Sequence, residues 1–129
     1  MKFLLIVLMV LTSCVSENTR LDNVFETRLL NYDKALKSKF SPQGQSILNV
    51  KKYTFVEVDG VKKLRVKFLR TGDEQIFGIV NSKRPIVRAI LTISGKRLSA
   101  ELLVIQQTSE YDLVIGRDIT EHNFNVEGH

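Results

Sequence analysis

The strongest constraint on the fold is a pair of alternating segments that meet at Asp59-Gly60. Tyr53–Val58 alternates apolar and polar residues, and Val61–Leu69 does so again after the dipeptide. Asp-Gly between two such runs predicts a β-hairpin, because a type I′ turn needs positive φ at both central residues. Successive side chains of a strand point to opposite faces, so the second strand has a core face and a solvent face. The core face carries Leu64, Val66 and Phe68. The solvent face carries Lys63, Arg65 and Lys67.

A second hairpin is predicted around Gly95-Lys96-Arg97, which separates Ile86–Ser94 from Leu98–Gln106. Shorter runs predict one helical turn at Arg117–Glu121 and further strands at Ala35–Phe40, Ser46–Val50, Gln75–Asn81, Tyr111–Ile115 and Phe124–Val126. No long stretch has the 3.6-residue period of an amphipathic helix. Many short strands in a chain of 129 residues predict one all-β domain, a small barrel or a sandwich.

The N-terminal segment, residues 1–13, has the form of a secretory signal peptide. Lys2 precedes nine consecutive apolar residues, Phe3–Leu11. As a helix these residues would span about 14 Å, which is too short for a bilayer core of about 30 Å. A positive residue followed by a short apolar region indicates a signal for export rather than a membrane span.

The segment ends in Leu11-Thr12-Ser13-Cys14, which resembles the bacterial lipobox. The resemblance implies that Cys14 receives a diacylglyceryl group and that cleavage removes residues 1–13. Two or three acyl chains then anchor the protein, since each buried CH₂ contributes about 0.8 kcal/mol. Residues 14–23 are expected to form a lipidated polar tether and residues 24–129 the folded domain. Val15 after the cysteine favours the periplasmic face of the outer membrane over the inner membrane. An ordinary signal peptide, or a buried strand with an incidental cysteine, is the alternative.

The composition argues against several kinds of chemistry. The chain has one cysteine and two histidines, so no metal is expected, and no cofactor is expected either. Its formal charge of +5 is mildly basic and by itself indicates no partner. His122 with Asp118 and Glu121 could imitate a metal site, but a solvated polar terminus is the preferred interpretation. The basic strand face is expected to be solvated or to meet anionic lipid. Phe55 and Phe68 are expected in the core by their alternation, and nucleic acid is not expected as a partner because its binding favours exposed aromatic side chains.

The C-terminal half resembles a known family. Three segments carry the resemblance: Arg84-Pro85-Ile86-Val87-Arg88, LVIGRDI at 113–119, and Phe124-Asn125-Val126. Their order resembles that of the retropepsin-like domains in the RimK-associated family known as ATP-dependent zinc proteases. The resemblance implies a small closed acid-protease barrel with at most one short helix. It also implies that Gly116 allows two backbones to approach closely, that Arg117 braces the short helix, and that Asp118 pairs locally.

The family's catalytic motif, Asp-Thr-Gly, does not occur at the matching place. Ser41 stands where the aspartate is expected and Pro42 follows it, and no acidic residue lies between Asp33 and Glu57. Aspartic proteases need two carboxylates that share a proton, and in a retropepsin-like dimer each chain supplies one. The sequence therefore predicts a non-catalytic domain that binds an extended peptide or protein, and the resemblance implies that it can form a homodimer. The expected cleft is lined by Ser41, Gly44, Ser46, Arg84 and Arg88.

Two other functions remain open from the residues. An active peptidase could use another carboxylate, Asp112 or Asp118, with or without a metal. A purely structural envelope lipoprotein could place its basic face on anionic lipid.

Overall fold

The structure, a computed structural model, describes residues 24–123. These residues form eight strands and one helix, which we number in chain order. They are β1 (Val24–Leu29), β2 (Leu36–Phe40), β3 (Ile47–Val58), β4 (Val61–Phe68), β5 (Glu74–Asn81), β6 (Ile86–Ile93), β7 (Lys96–Gln106), β8 (Leu113–Ile115) and α1 (Arg117–Asn123). The prediction of an all-β fold with one short helix is confirmed for this part of the chain.

The strands form a single sheet that closes on itself. Its order is β1-β2-β8-β3-β4-β5-β6-β7, and two additional pairings, β1 with β6 and β3 with β7, complete the closure. Most neighbours are antiparallel, but β2 pairs with β8 in parallel and β3 pairs with β7 in parallel. The parallel pairings join segments far apart in sequence, and they bring the connection between β2 and β3 against the end of β8.

Both predicted hairpins are present. Asp59 and Gly60 have φ values of 53° and 79°, as a type I′ turn requires. The second hairpin differs in its turn, which is Ser94-Gly95 rather than Gly95-Lys96-Arg97, since β7 already begins at Lys96. Ser94 and Gly95 have φ values of 52° and 82°, so the same two-residue geometry is used again. The turn is shorter than predicted because the backbone twist of a two-residue turn of this type matches the right-handed twist of the flanking strands.

The core lies where strand alternation predicts it. Leu64, Val66 and Phe68 are fully buried, and the inward residues of β6 are buried with them. Each such side chain contributes about 1.5–3 kcal/mol through burial. The expectation for Phe55 is wrong, because 42% of this residue is exposed. Phe55 pairs with buried Leu64 across β3 and β4, but it lies toward the turn, where the hairpin extends past the core.

Further differences concern the boundaries of the elements. Ile47–Val50 and Tyr53–Val58 are not in separate strands but are parts of β3, joined through a register shift between Val50 and Lys52, and Ser46 precedes this strand. β8 begins two residues later than the predicted Tyr111 and α1 extends two residues past Glu121. The predicted strand Phe124–Val126 lies outside the described residues.

Sequence analysis did not predict β1. Its charged residues obscure an alternation in which Phe25, Thr27 and Leu29 point inward. This strand closes the sheet by pairing with both β2 and β6. Over residues 24–123, no helix has the length and apolar character needed to cross a bilayer.

Candidate functional site

The candidate site is the connection between β2 and β3, residues 41–46, which we call the anchored loop. It begins where Phe40 pairs with Ile115 of β8, and the Ser41 amide donates to the Ile115 carbonyl at 3.0 Å. Further along, the Arg117 amide donates to the Gln43 carbonyl at 2.8 Å. The loop is therefore bonded by its backbone to the end of β8 and the start of α1.

Gly116 permits this close approach. A Cβ atom at this position would lie 2.8 Å from the Gln43 carbonyl oxygen and 2.9 Å from the Gln45 carbonyl carbon. Both are backbone atoms, which cannot rotate away as the end of a flexible side chain could. The need for glycine here is steric, in agreement with the close approach that the sequence resemblance implies.

Ser46 connects the loop to both Gly116 and Asp118. The buried Ser46 hydroxyl accepts a hydrogen bond from the Gly116 amide at 2.8 Å and donates one to Asp118 Oδ1 at 2.6 Å. The Ser46 amide donates to Asp118 Oδ2 at 3.2 Å, and the Asp118 amide donates to the Gly44 carbonyl at 3.0 Å. Asp118 thus uses both carboxylate oxygens locally, although the residue remains exposed.

Ser41 has a different role from Ser46. Its hydroxyl accepts a hydrogen bond from the Gln43 amide at 3.1 Å, a local contact that stabilises the start of the loop. The next three residues, Pro42, Gln43 and Gly44, are exposed. The outer side of the anchored loop is therefore open to solvent, and Gly44 has no atom within 4 Å of the place where its Cβ would be.

Arg84 and Arg88 lie outside the anchored loop, in the turn before β6 and on β6 respectively. The Arg84 amide donates to Asn81 Oδ1 at 3.2 Å within the turn between β5 and β6. Arg88 is on β6 and forms an ion pair with Glu101 of β7 at 3.2 Å. The Glu101 carbonyl also accepts from Gln45 Nε2 at 3.5 Å, so Arg88 is linked to the loop through Glu101.

Asp112, the other carboxylate considered from sequence, is a buried structural group. Its side chain is 2% exposed, and its Oδ2 accepts from the Lys37 amide at 3.0 Å and lies 3.5 Å from Arg70 Nε. Its backbone bonds to Lys37 and to Asn49, which joins β2 and β3 to the segment before β8. Within residues 24–123, Asp112 Oδ1 has no hydrogen-bond partner.

The residues around His122 are engaged in other contacts. Arg117 donates to Glu121 Oε2 at 2.6 Å along one turn of α1. Asp118 faces Ser46, as described above. In the part of the chain that the structure describes, no group of three or more His, Cys, Asp or Glu side chains could hold a metal ion. His129 and Cys14 lie outside the described residues.

A cavity that sequence analysis missed lies between the β1–β2 connection and the start of β5. It has a volume of about 600 Å³ and is lined by Asn31, Tyr32, Asp33, Asp73, Glu74 and Gln75. The Lys34 ammonium donates to Asp73 at 2.8 Å, and this bond, with a second from Tyr32, lowers the pKa of Asp73 below its usual 3.8. Burial raises the pKa of Tyr32, whose ring stacks on Phe68 at 4.8 Å. Among the residues that line this cavity, only Asn31 has an unusual local conformation, a turn with positive φ.

Comparison with known proteins identifies a related fold. No protein-family model matches the sequence, and no curated protein matches it. Among solved structures, a DUF785 protein of unknown function from Legionella pneumophila is similar, with a TM-score of 0.75 and 22% identity over 85% of this chain and 93% of that one. The protease of a simian foamy virus aligns with a TM-score of 0.40 and 8% identity, over 76% of this chain and 91% of that one. The likeness to the Legionella protein shows a shared fold.

Proposed function

We propose that this protein is a lipid-anchored envelope protein whose domain is a degenerate member of the retropepsin-like RimK-associated family and binds extended peptides without cleaving them. The anchored loop is the observation that carries the proposal. It packs against Gly116 and Asp118, as the motif LVIGRDI would require, yet it contains no carboxylate. The triplet Ser41-Pro42-Gln43 aligns with the catalytic Asp-Thr-Gly of the family.

The chemistry of the loop supports binding rather than catalysis. An aspartic protease activates water with one carboxylate and protonates the substrate with the other. The Ser41 hydroxyl has an intrinsic pKa far above physiological pH, so it cannot replace the base, and it already accepts a bond from the Gln43 amide. Asp112 is buried, which leaves Asp118 as the exposed carboxylate beside the loop.

The form of the loop is suited to an extended ligand. Its outer residues are exposed, and the space beside Gly44 is open. Extended peptides bind to folded domains by adding their backbone to exposed backbone groups, with side-chain contacts supplying specificity. The proposed cleft runs from the anchored loop toward Arg84 and Arg88.

Peptide binding and cleavage can be tested together with a synthetic library of random decapeptides and the full-length chain in a non-ionic detergent. Gly44→Trp would fill the proposed cleft, because no atom lies within 4 Å of its Cβ position, and Val61→Trp is the control, because Val61 is exposed beside the turn of the β3–β4 hairpin. We expect peptides to be retained without cleavage, about tenfold or more weaker binding by Gly44→Trp, and less than about twofold change for Val61→Trp.

Two outcomes would overturn this proposal. If no peptide is retained by the wild-type chain, the binding function is wrong. If peptides are cleaved and cleavage disappears in Asp118→Asn while thermal unfolding is unchanged, the protein is an active peptidase that uses that carboxylate.

The lipid anchor is tested at Cys14. In bacteria that express the full-length chain, wild-type protein is expected to incorporate labelled palmitate and to fractionate with the outer membrane, whereas Cys14→Ala is expected to do neither. Equal labelling of both forms would contradict the assignment of Cys14.

The proposed homodimer is tested by light scattering, where a monomer at high concentration would exclude it.

A further inference from the structure

The outer face of β3 and β4 carries a compact group of cations, away from the turn that joins the two strands. In the register of the two strands, Lys52 lies opposite Lys67 and Thr54 lies opposite Arg65. Residues two apart on a strand share a face, so these four side chains form the corners of one patch. We call it the basic square: Lys52, Thr54, Arg65 and Lys67.

The basic square surrounds a small cavity. The cavity has a volume of about 90 Å³ and is lined by the four residues of the square together with Tyr53, Val66 and Glu74. Lys52 and Arg65 are exposed, whereas Thr54 and Lys67 are half-buried. Three positively charged residues and a threonine therefore border a space of the size of a small polar group.

The charges of the square are balanced only in part by the protein. Glu74 is the one carboxylate that lines the cavity; it lies opposite Lys67 across β4 and β5, and its Oε1 is 3.8 Å from Arg65 Nε. Three cations and one anion leave a charge of +2. Across residues 24–123, Lys52 and Lys67 form no ion pair within 4.0 Å, and they face each other across the strands. Like charges directly opposite in a sheet destabilise it, so this pairing opposes the folding that the rest of the hairpin favours.

The register shift in β3 produces this arrangement. Val50 pairs with Phe68, and the shift before Lys52 then places Lys52 opposite Lys67. Without an extra residue at this point, Lys51 would pair with Lys67 and Lys52 would point to the other face. β-Bulges commonly reorient a side chain toward a functional surface.

We infer that the basic square is a binding site for a phosphate-type oxyanion. Lysine and arginine side chains are hydrogen-bond donors only, and the unprotonated oxygens of a phosphate group are strong hydrogen-bond acceptors. Thr54 adds a hydroxyl that can donate to the same group. Charge-assisted hydrogen bonds of this kind are the strong ones, and an anion would remove the repulsion between Lys52 and Lys67. The ligand is a phosphate monoester, a diester or inorganic phosphate, and its source is a free anion or the headgroup of an anionic phospholipid.

This inference does not depend on the proposed peptide site or on Cys14. The test uses the full-length chain in a non-ionic detergent at constant ionic strength, and the probes are inorganic phosphate and glycerophosphoglycerol, the soluble headgroup of phosphatidylglycerol. Amide chemical shifts are followed by NMR during each titration. We expect saturable shifts at the four residues of the square. Tighter binding of glycerophosphoglycerol would identify a lipid headgroup as the ligand, and tighter binding of inorganic phosphate a free anion.

Two double variants distinguish a specific anion-binding site from the general attraction of anions to a basic protein. Lys52→Gln with Lys67→Gln removes two charges from the square, whereas Lys51→Gln with Lys62→Gln removes two nearby charges outside it. Lys62 lies on the other face, with its ammonium 5.0 Å from the centre of the Phe55 ring. The first variant is expected to weaken binding by about tenfold or more, and the second by less than about twofold. Equal weakening by both variants, or shifts spread over all basic residues, would overturn the inference, as would no saturable shift with either probe.

Discussion

The anchored loop and the turn of the β3–β4 hairpin both connect strands, but different interactions hold them in place. The hairpin turn is local, since its shape follows from positive φ at Asp59 and Gly60 and from the two strands beside it. The anchored loop depends on residues about 70 positions away, through the bonds of Ser46 to Gly116 and Asp118. The comparison shows that the shape of a connection between two strands can be specified either by local backbone conformation or by contacts with residues distant in sequence.

The largest expected difference concerns glycine in the two regions. Gly116→Ala places a Cβ 2.8 Å from the Gln43 carbonyl oxygen, and we expect the free energy of unfolding to fall by about 3 kcal/mol. Gly60→Ala strains only the local φ of 79°, and we expect a loss of about 1 kcal/mol. Urea unfolding followed by far-UV circular dichroism measures both values. Equal losses would mean that the approach of the loop to Gly116 is not a close backbone contact.

A smaller difference is expected between two serines of the anchored loop. Ser46→Ala leaves the buried Gly116 amide without its acceptor and removes the donor to Asp118 Oδ1, and we expect a loss of about 2 kcal/mol. Ser41→Ala removes only a local bond from the Gln43 amide, and we expect a loss of about 0.5 kcal/mol. The same urea experiment separates them. If Ser41→Ala were the more destabilising, the bonds to β8 and α1 would not be what holds the loop.

The smallest effect is expected at Asp73, in a third connection that also uses distant side chains. Its bonds from Lys34 and Tyr32 lie at the surface, and they lower the pKa of Asp73. A lowered pKa in the folded state stabilises the protein above the usual value of 3.8, and this stabilisation is lost as the pH falls through the folded-state pKa. We therefore expect the urea midpoint of the wild type to exceed that of Asp73→Asn, and we expect this difference to be larger at pH 7 than at pH 3. A difference that does not change with pH would contradict the attribution to this carboxylate.

Much of the fold could be predicted from sequence because the signals are local. Alternation in β4 and β6 identified the buried faces, and Asp59-Gly60 identified the hairpin turn. Phe55 was misplaced because alternation gives the face of a residue but not how far the strand extends past the core. β1 was missed because its inward positions include Thr27, a polar residue that is fully buried.

The candidate site was predictable only in part. The glycine in LVIGRDI indicated a close backbone contact, and the segment that it contacts in the structure is the anchored loop. Nothing in the sequence showed that Ser46 rather than Ser41 bonds to Asp118, because both serines lie in one short polar segment and only the fold distinguishes them. The basic square was equally hidden, since the partner of Lys52 depends on a register shift.

The sequence by itself determined the hairpins, the buried faces of their strands and the missing carboxylate in the segment from Lys34 to Val56. These features depend on neighbouring residues and on the φ values that each residue type tolerates. Tertiary structure decided the closure of the sheet by β1, the parallel pairing of β2 with β8, and the meeting of Lys52 with Lys67. Those features join segments distant in sequence or depend on strand register, so their stability comes from packing of the whole domain and not from local preference.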